Sequence, residues 1–377
     1  MKLICYKSQL VDIINTVQRA ISPKTSYPIL ECIKISADGA GNVVFTGNNI
    51  DLCIEYNTDC VVTEGGEIAL GSKMFGDIVR RMPEGNISIS VNMSNNITTI
   101  QSGQSKFNIP SIPADEFPDA PILDEKFRFT ITQSALRRVM RKTIAFVAQN
   151  EGRRPVLTGT LFEIKNNILN LVASDGHRLA LVKEEIKETV EDNSFIVPGQ
   201  TQRELLKILK DEDEPVTVIV SDRNVLFDFG NYQVYSRLLD GEFIKYNSII
   251  SVTNKINVVA EKTDIVESLE RALLLINEDI SAKSENKIPV QLNIGYDKID
   301  MSCITGKGQV RDTIPVDMED GELTIGFNCR FLLDALSTCE GEKVRIEFST
   351  PMSGCFIKSA SGDDSYVYMI LPVRLYN

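Results

Sequence analysis

A pattern of short strand, polar residue and amphipathic helix occurs three times along the 377 residues. The copies begin at Leu3-Ile4-Cys5-Tyr6-Lys7-Ser8, Phe129-Thr130-Ile131-Thr132-Gln133-Ser134 and Val258-Val259-Ala260-Glu261-Lys262-Thr263. Aligning Ser8, Ser134 and Thr263 gives offsets of 126 and 129 residues. A repeat constrains the fold more than any composition does, because each copy must adopt one architecture. Each aligned hydroxyl is expected to cap its helix by accepting a free backbone N–H. The helices then show one apolar face: Leu10, Ile13, Ile14, Val17 and Ile21; Leu136, Val139, Met140 and Val147; Ile265, Leu269, Leu273 and Ile276. Such spacing belongs to a helix packed on one side.

Other landmarks keep the period. Thr46-Gly47-Asn48-Asn49, Ala173-Ser174-Asp175-Gly176 and Ile304-Thr305-Gly306-Lys307 read as turns between alternating strands. Second helices are expected over 73–82, 202–209 and 330–336. Each is followed by a strand with period-two alternation, as in Ile87-Ser88-Ile89-Ser90-Val91. The chain therefore reads as an α+β protein of three copies of one unit, 1–124, 125–252 and 253–377, each with antiparallel strands and two helices. Exposed sheet edges need partners. The period is too long for common solenoids. An arc that dimerises into a ring is the favoured assembly.

The remaining composition excludes several classes. No apolar run is long enough for a transmembrane helix, so no membrane association is expected. The first residues lack a signal-peptide core, which points to the cytoplasm. Eight cysteines contain no C-x-x-C pair and are expected to be reduced thiols in or near cores. His177 is the only histidine, which removes multi-histidine metal sites. No cofactor and no metal are expected.

The formal charge of −12 is unevenly placed. The three copies carry −5, 0 and −7. Arg137, Arg138, Arg141 and Lys142 fall on one helix opposite its apolar face and form a basic ridge. The other helices add Lys73, Arg80 and Arg81, then Arg203, Lys207 and Lys210. Duplex DNA carries about one charge per ~1.7 Å of axis, so such a surface binds it without reading sequence. The third copy fits poorly, with Glu267 and Glu270 beside Arg271.

Catalytic readings are thin. No phosphate-binding loop occurs; Gly306-Lys307-Gly308 lacks the frame. The run Asp211-Glu212-Asp213-Glu214 resembles a metal cluster or a solvated turn, and Asp175 beside His177 an acid–base pair or a turn. Two alternatives to DNA binding are an acidic peptide-binding scaffold and a carboxylate-dependent nuclease.

Several motifs resemble the bacterial DNA polymerase III beta-subunit family of sliding clamps. They include Arg154-Pro155-Val156-Leu157-Thr158-Gly159, Ser174-Asp175-Gly176-His177-Arg178-Leu179-Ala180, Leu239-Asp240-Gly241-Glu242-Phe243 and Leu371-Pro372-Val373-Arg374-Leu375. Tyr27-Pro28-Ile29-Leu30, Met82-Pro83-Glu84-Gly85 and Phe117-Pro118-Asp119 also match, so the resemblance spans the chain in order. It implies a head-to-tail homodimer ring of six domains with pseudo-six-fold symmetry, helices inside and sheets outside. It implies a non-catalytic processivity factor that encircles double-stranded DNA. The implied partners are the polymerase III alpha subunit, a clamp-loader ATPase complex, and other proteins with clamp-binding motifs, such as repair and translesion polymerases and ligase.

The same resemblance implies site residues. A partner-peptide groove falls at Leu157, Ser174, Gly176, His177, Arg178 and Leu179, with Ile244, Ile249 and Met352, and with Met369, Leu371, Pro372, Val373, Arg374 and Leu375. Dimer contacts fall at Phe107, Ile109, Leu274 and Leu275. DNA-path matches are Lys24, Lys73 and Arg80, to which the charge pattern adds Arg137, Arg141, Lys142, Arg203 and Lys207. Three departures stand out: Ile244-Lys245-Tyr246 where family members place Pro after the Phe, a Tyr376-Asn377 tail, and Gly199-Gln200 where some members carry a basic pair.

Overall fold

Strands that alternate buried and exposed residues build four antiparallel sheets, and the helices pack their apolar stripes on them. The structure is a computed structural model describing residues 1–22, 25–150, 152, 154–252, 254–279, 288–318 and 321–375. Contacts divide the chain into two compact units, 1–134 with 203–238, and 135–202 with 239–377. The middle copy of the repeat thus gives segments to both units.

The first unit holds a sheet of five strands, in the order Val61–Glu64, Lys2–Tyr6, Asn86–Asn92, Ile97–Ser102 and Ser105–Pro110. Its second sheet has eight strands. There Leu52–Asp59 pairs with Tyr232–Arg237, so one sheet crosses a repeat boundary. The second unit holds a nine-stranded sheet in which Arg178–Glu185 pairs with Tyr366–Ile370 in the same manner. A four-stranded sheet runs Gly308–Pro315, Lys298–Thr305, Val290–Ile294 and Leu323–Phe327.

The described helices are α1 (Lys7–Val17), α2 (Ser72–Arg81), α3 (Gln133–Thr143), α4 (Gly199–Ile208), α5 (Tyr246–Ile250), α6 (Lys262–Glu278) and α7 (Cys329–Thr338). Leu10, Ile13, Ile14 and Val17 of α1 are buried, as are Leu136, Val139 and Met140 of α3. Each such side chain contributes about 1.5–3 kcal/mol by leaving water. Ile21 and Val147 lie beyond the ends of α1 and α3.

Two expectations fail. Ser8, Ser134 and Thr263 are not N-caps; each sits one residue inside its helix. Tyr6 and Glu261 occupy the cap positions of α1 and α6 and make no side-chain cap. The main chain caps the helices instead. Lys7 N–H donates to Gly85 O at 2.9 Å, Gln133 N–H to Glu214 O at 2.9 Å and Lys262 N–H to Glu342 O at 2.7 Å. In each copy the acceptor lies in the turn after the second helix, so the repeat recurs in its hydrogen bonds.

The second failure concerns thiols. Cys5 and Cys60 are joined in a disulfide, with Cα atoms 5.3 Å apart. The register explains it: Leu3 faces Val62 and Ile4 faces Val61, which sets Cys5 opposite Cys60. Sequence spacing carries no trace of a cross-strand pair. The other six cysteines are free and buried.

Candidate functional site: an apolar groove and its surroundings

The candidate site begins as a row of side chains across the nine-stranded sheet. Leu161 faces Val172, Val172 faces Leu181, and Leu181 faces Val367 on four adjacent strands. Alternation puts Leu179 and Met369 on the same face. These join Val156, Leu157, Ile196, Phe243, Tyr246 and Phe356 in one apolar cluster, with Ile244, Ile249 and Ile250 packed partly buried against it. Met352 and Leu371 stand out at 65% and 40% exposure.

The turn 174–178 is built by its own side chains. Ser174 Oγ accepts from Gly176 N–H at 3.1 Å and donates to Arg178 O at 2.8 Å. Asp175 Oδ1 accepts from the backbone N–H groups of His177 and Arg178. Gly176 has φ +88°, a conformation that suits glycine. Asp175 therefore shapes the turn and salt-bridges Arg178 Nε at 2.9 Å. These contacts account for its carboxylate without acid–base chemistry on His177.

Arg178 is buried and donates to Asp334 and to Ala145 O, both at 2.6 Å. Its guanidinium lies 4.2 Å from the ring centroid of Phe331. Beside it opens a cleft of 770 Å³ lined by His177, Leu273, Asn277, Arg330, Phe331 and others. Phe331 and Asp334 escaped the sequence reading, since one α7 turn resembles another until the fold brings it to Arg178. Tyr246 appeared there as part of a departure from the family pattern. Its hydroxyl donates to Glu163.

The chain's last described residues pack on the neighbouring sheet. Val373 N–H donates to Gly326 O at 2.8 Å. A Cβ on Gly326 would meet Leu375 Cδ2 at 2.7 Å, so a side chain there would displace this segment. Pro372 is half-buried and Arg374 exposed. Tyr376 and Asn377 lie outside the described residues.

The first unit provides an internal comparison. The same register places Lys34 opposite Thr46, Thr46 opposite Glu55, and Glu55 opposite Gln233. Lys34 Nζ lies 3.6 Å from Glu67 and 3.5 Å from Asp119. Burial pushes the Glu55 carboxyl above its ordinary value, with Lys34 partly opposing it. Leu, Val, Leu, Val in one unit thus correspond to Lys, Thr, Glu, Gln in the other. An apolar ligand over the polar row would strip water from charged groups.

The basic residues divide by environment. Lys73, Arg80, Arg141 and Lys207 are exposed, and Arg137 and Arg203 half-buried. Arg80 donates to Asn15 and Gln18, and Lys207 pairs with Glu204 at 2.8 Å. The expected ridge does not form as four free cations. Arg138 makes two 2.7 Å bonds to Glu184. Lys142 is buried, 2.8 Å from Glu340 and 5.1 Å from the centroid of the Tyr366 ring. Helical spacing located these side chains on α3 and gave no sign of partners nearly 200 residues away. Lys24 lies outside the described residues.

The acidic run acts on α3. Ser134 Oγ donates to Asp213 at 2.8 Å and Gln133 Nε2 to Glu214 at 3.2 Å. Among the described residues no group of three His, Cys, Asp or Glu is arranged to hold a metal ion. Among the same residues no helix is long and apolar enough to cross a membrane.

Of the expected dimer contacts, Phe107 and Leu274 are 43% and 69% exposed. Leu275 is half-buried. Ile109 is buried at 6%, because it points into its own unit.

Comparison with known proteins follows the same arrangement. Residues 1–121, 130–245 and 247–374 match the N-terminal, central and C-terminal domains of the DNA polymerase III beta subunit. The chain is 33% identical to a beta sliding clamp of Halalkalibacterium halodurans over 389 aligned positions, with both chains covered in full. It is equally similar to one of Bacillus subtilis, 33% over 393 positions and again over both full lengths. The crystal structure of the Bacillus subtilis DNA polymerase sliding clamp superposes with a TM-score of 0.93 at 31% identity, covering all of both chains.

Proposed function

The chain belongs to the DNA polymerase III beta-subunit family, the beta sliding clamps, and is a non-catalytic processivity factor that tethers the polymerase to DNA; we propose that its partners dock in the apolar groove of the second unit. The row Leu161, Val172, Leu181 and Val367, against Lys34, Thr46, Glu55 and Gln233 in the first unit, carries this reading. A sheet face that buries Leu or Phe anchors holds a short peptide well. His177, Arg178 and the exposed Met352, Leu371 and Arg374 form the rim. The polymerase alpha subunit, the clamp loader, repair and translesion polymerases and ligase share this groove in turn.

Dimerisation closes the ring. Among the described residues the strands Ser105–Pro110 and Gly308–Pro315 each have a sheet neighbour on one side only. Exposed edges seek partners. Joining them between two copies makes one continuous sheet. A 590 Å³ pocket at Met74, Ile78 and Phe107 then receives Leu274 and Leu275 of the second copy.

DNA passes the basic helices, with Lys73, Arg80, Arg137, Arg141, Arg203 and Lys207 meeting phosphates. Among the described residues Arg137 and Arg141 have no carboxylate partner. Non-specific phosphate contacts permit sliding, because no base is read. The test is retention of the loaded protein on nicked circular DNA before and after linearisation. Retention on the circle and loss from the linear form are expected. Equal retention on both would overturn topological tethering.

A further inference from the structure

We propose that Tyr246 is a positioning residue that sets the open width of the peptide groove by tethering its lid to Glu163; the inference rests on reading the apolar cluster as that groove. The lid is the segment from Leu239 to Ile250, which presents Ile244, Ile249 and Ile250 to the cluster. Its entry is fixed by Leu239 N–H donating to Ile196 O at 3.0 Å. Next comes Gly241 at φ +128°, where a Cβ would approach Val156 Cγ1 to 2.9 Å. Phe243 then inserts at 8% exposure.

Beyond Phe243 the segment is held by apolar packing of Tyr246, Ile244, Ile249 and Ile250 and by few polar contacts to the sheet. The helix α5 spans five residues and has no side-chain cap. A helix that short is not stable by itself. The Ser248 hydroxyl bonds within the segment, to Lys245 O, and that of Ser251, the next residue on, to Asn247 O. The Tyr246 hydroxyl on Glu163 links α5 to the sheet through polar side chains. Tyr246 is 5% exposed, and its phenol is pushed above its ordinary value by burial and by the Glu163 carboxylate.

Glu163 stands at the polar end of the groove floor. It lies two residues beyond Leu161 on the strand Gly159–Lys165, so both side chains share one face. A bond from α5 to this point fixes the helix along the floor as well as above it. Ile244 lies two residues before the tether and Ile249 three after, so both walls move with it. The same hydrogen bond gives one carboxylate oxygen of Glu163 a partner beside an otherwise apolar cluster, and an untethered lid would leave that oxygen without it.

The test is a double-mutant cycle on Tyr246→Phe and Glu163→Ala, since a Gln at 163 would keep an acceptor oxygen for the hydroxyl. The probe is a fluorescein-labelled synthetic peptide carrying Leu and Phe anchors, with binding read by anisotropy. Tyr246→Phe keeps the ring and removes the tether, and is expected to weaken binding by roughly tenfold. The double variant is expected to bind no more weakly than the worse single variant, since both remove one interaction. Amide hydrogen exchange of 239–251 is expected to quicken in both single variants, while the rest of the unit is unchanged. Additive effects, or a Tyr246→Phe protein that binds like wild type, would overturn the positioning role alone. A wild-type protein that binds no such peptide would overturn the groove reading and the inference with it.

Discussion

Arg178 Nη1 donates to Asp334 Oδ2 at 2.6 Å, tying the 174–178 turn to α7. The same guanidinium serves Asp175 and Ala145 O and lies over the rings of Phe146 and Phe331. Its side chain is 9% exposed, whereas that of Asp334 is 43% exposed. Arg178→Ala leaves three acceptors without their donor and is expected to cost about 3 kcal/mol or more. Asp334→Asn keeps a half-exposed polar group and is expected to cost about 1 kcal/mol or less. Urea unfolding followed by hydrogen exchange within the second unit measures both.

Neighbouring cations on α3 are expected to behave differently. Arg141→Glu should shorten retention on circular DNA and flatten its salt dependence, by about 0.9 in log–log slope per lost phosphate contact. Lys142→Ala should leave that slope unchanged and lower thermal stability, because its ammonium is committed to Glu340. Salt titration of DNA binding and a melting curve on each variant separate the two roles.

Thiol titration of the denatured, unreduced chain is expected to find six free thiols of the eight cysteines. Eight would refute the Cys5–Cys60 bridge. In the folded chain, burial pushes Cys329 and Cys355 up to about 12 and Cys339 up to about 11. Alkylation proceeds through the thiolate, so these sites should react slowly at pH 8. With its cysteines 55 positions apart, reducing the bridge is expected to cost up to about 4 kcal/mol of stability.

Glu55 supplies a pH test with a definite sign. Its folded carboxyl titrates above the ordinary carboxylate range, with burial as the leading cause. Between the unfolded and folded values the folded state holds more protons, so stability falls as pH rises through that window. The contribution is fully present below the unfolded value. Glu55→Gln is expected to remove this slope and to raise the melting temperature at neutral pH. An unchanged slope between acid and neutral pH would show that Glu55 does not bear it.

The repeat was legible because it rests on local patterns. Helix faces such as Leu10, Ile13, Ile14 and Val17, and the alternation at 87–91, depend on neighbours a few residues apart. Features set by contacts between segments far apart in sequence were not. Cys5 meets Cys60 only through strand register, and Lys142 meets Glu340 across nearly 200 residues. The motifs around 174–179 and 371–375 were readable as a family likeness. The contrast between Leu181 and Glu55 at corresponding places needed the registers of both sheets.

The three main-chain caps bear on how such a molecule changes over time. A helix start held by a side chain loses its hold when that residue mutates. At Lys7, Gln133 and Lys262 the donor is a backbone N–H and the acceptor a backbone carbonyl, so nearly any residue keeps the joint intact. Proline is the exception, because it has no N–H to give. The copies can therefore drift apart in sequence while the geometry they share persists. One copy is free to become polar where another stays greasy, and a single ancestral shape can carry different duties along one chain.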